Sequence, residues 1–327
     1  MNRLNDVFFV DENLGWAVGD TQPIGIMGER QTLLLKTEDG GDTWEEQGNG
    51  EFDRNLQTVF FLDSDTGWVA GGRSLNQPPL LLHTQNGGTT WVEQAQPVTT
   101  DGTIFDIQFM DAELGWAVGG SITGVNRFLL RTTDGGDTWH EVYSVSDAQP
   151  FTSLSFVDAN RGWAVGNDSE NDGEDSYWYT TDGGLNWQSG RTGIGDVSNL
   201  LSKRFQRVQF VDENNGWLMS PGIIMGTTNG GDDWAVVRNS SSGVVYDMYR
   251  LDADTAWLVG GGLSGGAQQT EARVFFTANG GADWVEESVT DLPTGFNENT
   301  QLLAVHALEG GRAWAVGLNL TLMRRDP

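Results

Sequence analysis

The sequence predicts an all-β fold, a single seven-bladed β-propeller that uses residues 1–327 as one domain. Two recurring phrases lead to this prediction. The first has the form T-x-[DN]-G-G-x-x-W and occurs six times, with its Trp at intervals of 47 to 50 residues. The second places an acidic residue five positions before another Trp and occurs seven times. Repeats of this length, each too short to bury a core alone, are typical of propeller blades.

Each repeat has the pattern of four short strands. In the second repeat we expect strands at 58–62, 67–71, 79–84 and 89–94, bounded by Asp, Asn and Gly. Positions nine and six before the Trp of the acidic phrase are apolar in all seven repeats, which places a first strand there. The predicted blades span approximately 1–50, 51–97, 98–145, 146–192, 193–239, 240–290 and 291–327.

The Gly-Gly phrase predicts the turn between the third and fourth strands. Asp or Asn can bond its own backbone there, and the glycine pair supplies positive φ angles that other residues resist. The Trp that follows is large enough to fill the gap between neighbouring blades. The six Asp or Asn residues are therefore interpreted as structural rather than catalytic.

The seventh repeat ends at LTLMRRDP, 320–327, without a Gly-Gly phrase. Only MNRLN precedes the apolar positions of the first strand, which is short for a segment that must cross and pair. We expect a three-stranded seventh blade, or one completed by a segment upstream of this sequence.

Composition excludes several classes of partner. Eighteen Lys and Arg against 46 Asp and Glu give a formal charge of −28, which repels nucleic acid and anionic lipid. Because the chain has no Cys, it can have neither a disulfide nor a catalytic thiol. No run reaches the roughly 18 apolar residues of a membrane span, and the start lacks the pattern of a signal peptide. We expect a soluble monomer, and an exported protein would have lost its leader from this sequence.

The Gly-Gly phrase resembles the Asp-box, or BNR repeat, of sialidase-like propellers. Coupled to D-x-x-x-G-W-A-V-G at 11–19 and 111–119, it more closely resembles the photosystem II stability and assembly factors and their non-photosynthetic bacterial relatives. The resemblance implies a non-catalytic scaffold that recognises a protein or peptide client. It also implies a periplasmic, lumenal or extracellular location.

Contacts with a client are predicted on the face opposite the Asp-box turns, where connections of variable length meet. Long connections run from Gly19 to Thr32, from Gly260 to Arg273, and between blades at 187–217 and 284–314. The candidate client-binding residues are Arg204, Arg207, Arg250 and Trp178. Trp178 lies outside both phrases, and the alternative is that it fills space between blades.

A calcium site is a second candidate. Asp168, Glu170, Asp172 and Gly173 occupy positions 1, 3, 5 and 6 of a calcium-loop pattern. The twelfth position is Tyr179 instead of the usual bidentate Glu. The alternative is a solvated acidic loop.

Two other functions stay open. A sialidase-type glycoside hydrolase needs an Arg cluster and a Tyr nucleophile with a Glu partner, and Tyr249 beside Arg250 is a fragment of that set. The F-R-I-P type segment of that family is missing. A carbohydrate-binding or adhesion propeller is the other alternative. The three His residues follow no metal or triad spacing, and His306 should face away from the blade core, into the central channel.

Overall fold

The fold was examined in a computed structural model of the chain. It describes residues 2–21, 32–48, 52, 54–72, 77–98, 102–121, 126–146, 148–166, 176–193, 205–239, 244–263, 270–287, 301–318 and 322–325.

The strands follow in groups, one group to each blade. Blade one has β1 Arg3–Phe9, β2 Gly15–Asp20, β3 Thr32–Thr37 and β4 Glu45–Glu46. Blade two has β5 Leu56–Phe61, β6 Gly67–Gly71, β7 Leu80–Thr84 and β8 Val92–Glu93. Blade three has β9 Thr103–Phe109, β10 Gly115–Gly120, β11 Asn126–Thr132 and β12 His140–Ser146. Blade four has β13 Phe151–Phe156, β14 Gly162–Gly166, β15 Ser176–Thr180 and β16 Gln188–Arg191.

The remaining blades continue the same order. Blade five has β17 Arg207–Phe210, β18 Gly216–Met219, β19 Ile223–Thr227 and β20 Ala235–Asn239. Blade six has β21 Val244–Arg250, β22 Thr255–Leu263, β23 Thr270–Ala278 and β24 Val285–Glu287. Blade seven has β25 Leu302–Ala307, β26 Ala313–Gly317 and β27 Leu322–Arg325.

These groups form the predicted seven-bladed β-propeller. Six antiparallel sheets have four strands in sequential order, and the seventh sheet has three. The prediction of a three-stranded last blade is thus confirmed for the described residues. The fourth strand of blade two is shorter than expected: β8 covers 92–93 of the predicted 89–94, because the backbone N–H groups of Thr89 and Thr90 bond Asn86 within the turn. In the described part of the chain, no helix is long and apolar enough to cross a membrane.

The chain divides into two compact units. The first contains residues 1–71, 82–93 and 242–327, and the second contains residues 72–81 and 94–241. Blades six, seven and one, with most of blade two, lie in the first unit. Blades three, four and five lie in the second.

The Asp-box turns have the predicted geometry. Gly40 and Gly41 have φ angles of 76° and 95°, and the Thr37 Oγ1 accepts the N–H of Gly41 at 2.9 Å. The Asp39 carboxylate accepts the N–H of Thr43 at 2.8 Å. The same bond from the residue four positions later is made at Asn86, Asp134, Asp182, Asn229 and Asn279. All six Asp or Asn side chains therefore serve their own turns.

Neighbouring blades are joined mainly by the Trp of the acidic phrase. Trp16 is fully buried and stacks on Phe61 of the next blade, with ring centroids 3.4 Å apart. Matching stacks join Trp116 to Phe156, Trp163 to Phe210, and Trp314 to Phe9. The Asp-box Trp, expected to fill the gap between neighbouring blades, packs edge-on against the Phe of its own blade, as Trp44 does on Phe9.

First strands begin earlier than the apolar pattern suggested. β1 starts at Arg3, and Arg3 also forms a β-bridge with Leu318 of blade seven. A bulge between Leu4 and Asp6 inserts one residue, so the alternation of buried side chains is broken there. Bulges at the same place in β5, β9, β13, β21 and β25 explain why a period-two reading ends too soon.

Beside the bulge, a carboxylate in three of the blades accepts a hydrogen bond from the backbone of the next blade. The Asp6 carboxylate accepts the N–H of its neighbour Val7 and that of Val59 in blade two, both at 2.9 Å. Asp106 bonds Ile107 and Leu154 in the same way, and Asp247 accepts the N–H of Val305. First strands of adjacent blades share no ladder, so these carboxylates satisfy N–H groups that would otherwise be orphaned.

Blade seven is stabilised by an arginine where other blades have aromatic rings. It has Ala307 at the position of the stacking Phe and has no Asp-box Trp. The Arg325 guanidinium lies 4.7 Å from the Phe276 ring centroid and 5.9 Å from that of Trp257 in blade six. It also donates to Glu287 at 2.8 Å and to the Gly311 carbonyl at 2.9 Å. Arg325 thus supplies the contact that Phe and Trp make elsewhere.

Candidate functional site

The loop face is the end of each blade that carries the connections from second to third strands and from one blade to the next. In blade one it is marked by Arg3 at the start of β1 and Asp20 at the end of β2. The four long connections reach residues 22–31, 194–204, 264–269 and 288–300, which lie outside the described residues. The described ends show how far blade six extends: β22 and β23 pair over nine residues each, up to Leu263 and Thr270.

Arg207 lies on the inner face of β17. We call inner face the side of a first strand that faces away from the core of its own blade. The Arg207 guanidinium donates to the Thr152 carbonyl of blade four at 3.3 Å, and the side chain is partly exposed. It also acts on Asp106 of blade three: burial raises the pKa of that carboxyl above its usual range, and the charge of Arg207 opposes the rise. Arg207 is therefore a cation near the loop face within the second compact unit.

Arg250 has a different environment. It ends β21, is 4% exposed, and donates to the Ala253 carbonyl in the turn between β21 and β22 at 3.2 Å. That turn lies at the end of the blade that carries the Asp-box. The structure therefore places Arg250 away from the loop face, at the position where five other blades have Phe.

Trp178 is a core residue. It is 6% exposed, lies edge-on to Phe151 at 5.0 Å, and has the Arg127 guanidinium 4.7 Å from its ring. This position agrees with the alternative that Trp178 fills space between blades. The sequence analysis did not single out Arg127, which is 3% exposed and lies over the rings of Phe151 and Trp178. The extra Trp in blade four is the feature of the sequence that could have indicated it.

Two predicted sites fall outside the described residues. Arg204 is one, and the calcium candidate Asp168, Glu170 and Asp172 is the other. Both stay predictions. Among the described residues, no group of three or more His, Asp or Glu side chains could hold a metal ion.

The inner face of the first compact unit is aromatic. The residues eight positions before the second-strand Trp in blades six, seven, one and two are Tyr249, His306, Phe8 and Phe60. Ring centroids are 4.7 Å apart for Tyr249 and His306, 4.5 Å for His306 and Phe8, and 5.3 Å for Phe8 and Phe60. We name these four side chains the aromatic arc.

Burial keeps the polar members of the aromatic arc neutral. It lowers the pKa of His306 to about 3 and raises that of Tyr249 to about 12. The His306 Nδ1 accepts the N–H of Phe9 at 3.4 Å, so the ring proton lies on Nε2. The arc is therefore uncharged near pH 7.

The equivalent positions in the second compact unit are polar. Gln108 bonds both the N–H and the carbonyl of Phe156, at 2.8 and 2.9 Å, and Ser155 accepts the N–H of Phe210 at 3.0 Å. Gln209 occupies the same position in blade five. The second unit is thus polar at this position, whereas His306 of the first unit belongs to the aromatic arc.

Tyr249 and Arg250, the fragment of a sialidase site, lie on opposite sides of β21. Tyr249 contacts His306 on the inner face, whereas the next residue, Arg250, points into the blade. A Tyr nucleophile needs a lowered pKa or an adjacent base, and burial moves the pKa of Tyr249 upward. Tyr249 and Arg250 therefore do not form an Arg–Tyr catalytic pair.

These features define the class of the protein as an Asp-box β-propeller whose repeated polar and aromatic side chains serve turns and blade contacts. A family model described as "Photosynthesis system II assembly factor YCF48" matches residues 1–95, 92–169 and 142–259. The chain belongs to this family.

Solved structures with the same fold include members of that family. One, described as "YCF48 bound to D1 peptide", is 20% identical with a TM-score of 0.69, over 100% of this chain and 94% of that one. YCF48 from Cyanidioschyzon merolae is 18% identical with a TM-score of 0.69, over 100% and 96%. A GH74 xyloglucanase from Xanthomonas campestris is 13% identical with a TM-score of 0.67, over 97% of this chain and 51% of the enzyme. No curated protein matches the sequence.

Proposed function

We propose that the protein is a non-catalytic scaffold that binds a protein or peptide client through its loop face. The observation that carries the proposal is the family match, in which one solved relative is described as bound to a peptide. The geometry supports it, because all six Asp-box side chains are engaged in their own turns at the opposite end. The residues that bind a client are then expected on the loop face.

Arg207 is the described cation that we assign to client binding. It is partly exposed on the inner face, its hydrogen bond to the Thr152 carbonyl orients it, and the carboxylate of Asp106 attracts it. An arginine held in this way can donate to a peptide carbonyl or carboxylate at little entropic cost. Arg204, three residues earlier in the chain, is proposed to act with it. We further propose that the protein acts as a monomer outside the cytoplasm.

The test selects clients without assuming their identity. A phage-displayed library of random 15-residue peptides is panned on the folded protein, and a selected peptide is synthesised for calorimetry. We expect Arg207→Ala to weaken binding by about tenfold, as for loss of a charged hydrogen bond. Arg207→Lys reports whether charge alone suffices, and Asp134→Asn on the Asp-box face should bind like the wild type.

Two results would refute the scaffold proposal. One is a selection that enriches no peptide over an empty-resin control. The other is hydrolysis of a fluorogenic sialoside or of xyloglucan by the purified wild type. Each variant is first checked for an unchanged melting temperature, so that misfolding cannot mimic lost binding.

A further inference from the structure

The aromatic arc is a contiguous surface built by four blades of one compact unit. Successive centroid distances of 4.7, 4.5 and 5.3 Å place each ring in contact with the next. Phe8 faces away from the core of its blade, since the residues on either side of it, Val7 and Phe9, are 2% and 1% exposed. At the other end of the arc, Tyr249 also packs against core residues of blades six and seven.

Three of the four rings are partly exposed. Phe8, Phe60 and Tyr249 have intermediate exposure, whereas His306 is 6% exposed. Apolar rings left accessible cost free energy unless a ligand covers them, because each Å² returned from water contributes roughly 25 cal/mol. Accessible and contiguous apolar surface is a mark of binding sites.

The arc selects ligands by its lack of charge. His306 and Tyr249 are neutral near pH 7, and the nearest carboxylates along the inner face, Asp6 and Asp247, accept backbone N–H groups of the next blade. The arc offers neutral ring faces to a ligand. An uncharged side chain matches this chemistry, whereas an anion would find no cationic side chain among the four described members of the arc.

The second compact unit differs from the first at the positions of the aromatic arc. At the same position of the repeat that unit has Gln108, Ser155 and Gln209, and two of these bond the backbone of the next blade. Polar residues there would have met the same backbone requirement in the first unit. At three of its four positions that unit instead carries accessible rings that make no such bond in the described contacts.

We propose that the aromatic arc binds an uncharged aromatic or aliphatic side chain of the client, which enters the inner face from the loop face. This inference rests on the proposed function and names the class of residue that the client inserts. In β1, Phe8 of the arc lies about five residues, roughly 17 Å, along the strand from Arg3 at the loop face. A residue at or near the end of an extended peptide can reach it.

The test uses small probes on the full chain. Indole represents a neutral ring, tetramethylammonium a cation and acetate an anion, and each is titrated by saturation-transfer NMR. We expect indole to bind and to compete with the selected peptide. Phe60→Ala, at the end of the arc, should weaken indole binding about fivefold, whereas Gln209→Ala, at the equivalent position in blade five, should not.

The outcomes separate this inference from the proposed function. If the peptide binds and responds to Arg207→Ala but indole does not bind, or Phe60→Ala changes neither affinity, the arc is not the site and the scaffold role stands. If tetramethylammonium binds more tightly than indole, the arc is a cation site and the inference is wrong. If indole binds the arc but no peptide is selected, the proposed function fails while the site remains.

Discussion

A Phe and a Gly six positions apart explain why five blades have Gly-Trp at the start of the second strand and two have Ala-Trp. In five blades a Gly precedes the second-strand Trp and a Phe stands six residues before that Gly. A Cβ at Gly115 would lie 2.5 Å from the ring of Phe109. Blades six and seven have Ala256 and Ala313 instead, together with Arg250 and Ala307 in place of Phe. Gly is therefore needed before the Trp in these five blades, because the Cβ of any other residue would collide with the Phe ring.

This pairing predicts a strong coupling in blade three. Gly115→Ala should lower the free energy of unfolding by about 1–3 kcal/mol, the usual cost of overpacking a core. In a Phe109→Ala background, which reproduces the Ala–Ala pair of blade seven, the same substitution should cost close to nothing. Urea unfolding of the four proteins in the double-mutant cycle measures the coupling. Equal costs in both backgrounds would show that the ring is not the obstacle.

At the scale of the element, the stability of the Asp-box turns that contain Asp depends on pH. Hydrogen bonds from Thr43, first from its hydroxyl and then from its N–H, lower the pKa of Asp39 to about 2. The corresponding bonds from Thr138 lower the pKa of Asp134 to about 2, and bonds from Asn186 lower that of Asp182. A carboxyl with a depressed folded pKa contributes stability above its unfolded value of about 3.9, and this stability is lost as pH falls toward 2.

Three turns of the same chain supply the control for that effect. Asn86, Asn229 and Asn279 make the same bond to the residue four positions later, without a charge. The triple variant Asp39→Asn, Asp134→Asn and Asp182→Asn should therefore fold, and should lose less stability than the wild type between pH 4 and pH 2. Urea midpoints across this range provide the measurement. Parallel pH curves for the two proteins would contradict the assignment.

The elements were largely predictable because their signals are local and repeated. The turn residues, the apolar positions and the missing last Asp-box gave seven blades and the three-stranded seventh. The bulge at Asn5 was not predictable, since the single inserted residue looks like the end of a strand. Nor was Arg325, because its stacking on Trp257 and Phe276 depends on a contact between two blades.

The functional residues were less predictable for a related reason. Arg207 and Arg250 look alike in sequence, yet the former stands ten positions before its Trp on the inner face and the latter seven before, inside the blade. The two positions differ by three, an odd number, so the alternation of a strand puts the two side chains on opposite sides. Which side meets the neighbouring blade depends on contacts that one sequence does not show. The aromatic arc was visible in sequence as a column of rings, but its continuity needed the contacts between blades.

At the scale of the whole molecule, the charge of −28 opposes folding. With 46 acidic and 18 basic side chains, most exposed carboxylates have no cation available as a partner. Exposed acids occur on the outer strands, as at Glu45 and Glu46 of β4. Like charges brought together by folding repel one another, and the repulsion falls as salt shortens the Debye length from about 30 Å at 0.01 M to about 10 Å at 0.1 M.

The melting temperature should therefore rise when sodium chloride is increased from about 0.01 M to about 0.5 M, a range over which screening passes from weak to nearly complete. Calorimetry is performed with EDTA present, so that trace calcium cannot produce the shift. Glu45→Gln with Glu46→Gln removes two exposed charges and should raise the melting temperature at low salt while reducing its dependence on salt. The surface ion pairs, such as Arg54 with Glu93 at 2.7 Å, act in the opposite direction because salt weakens them. A melting temperature that falls with added salt would mean that these pairs outweigh the repulsion, and the excess of acid would then carry no cost to the fold.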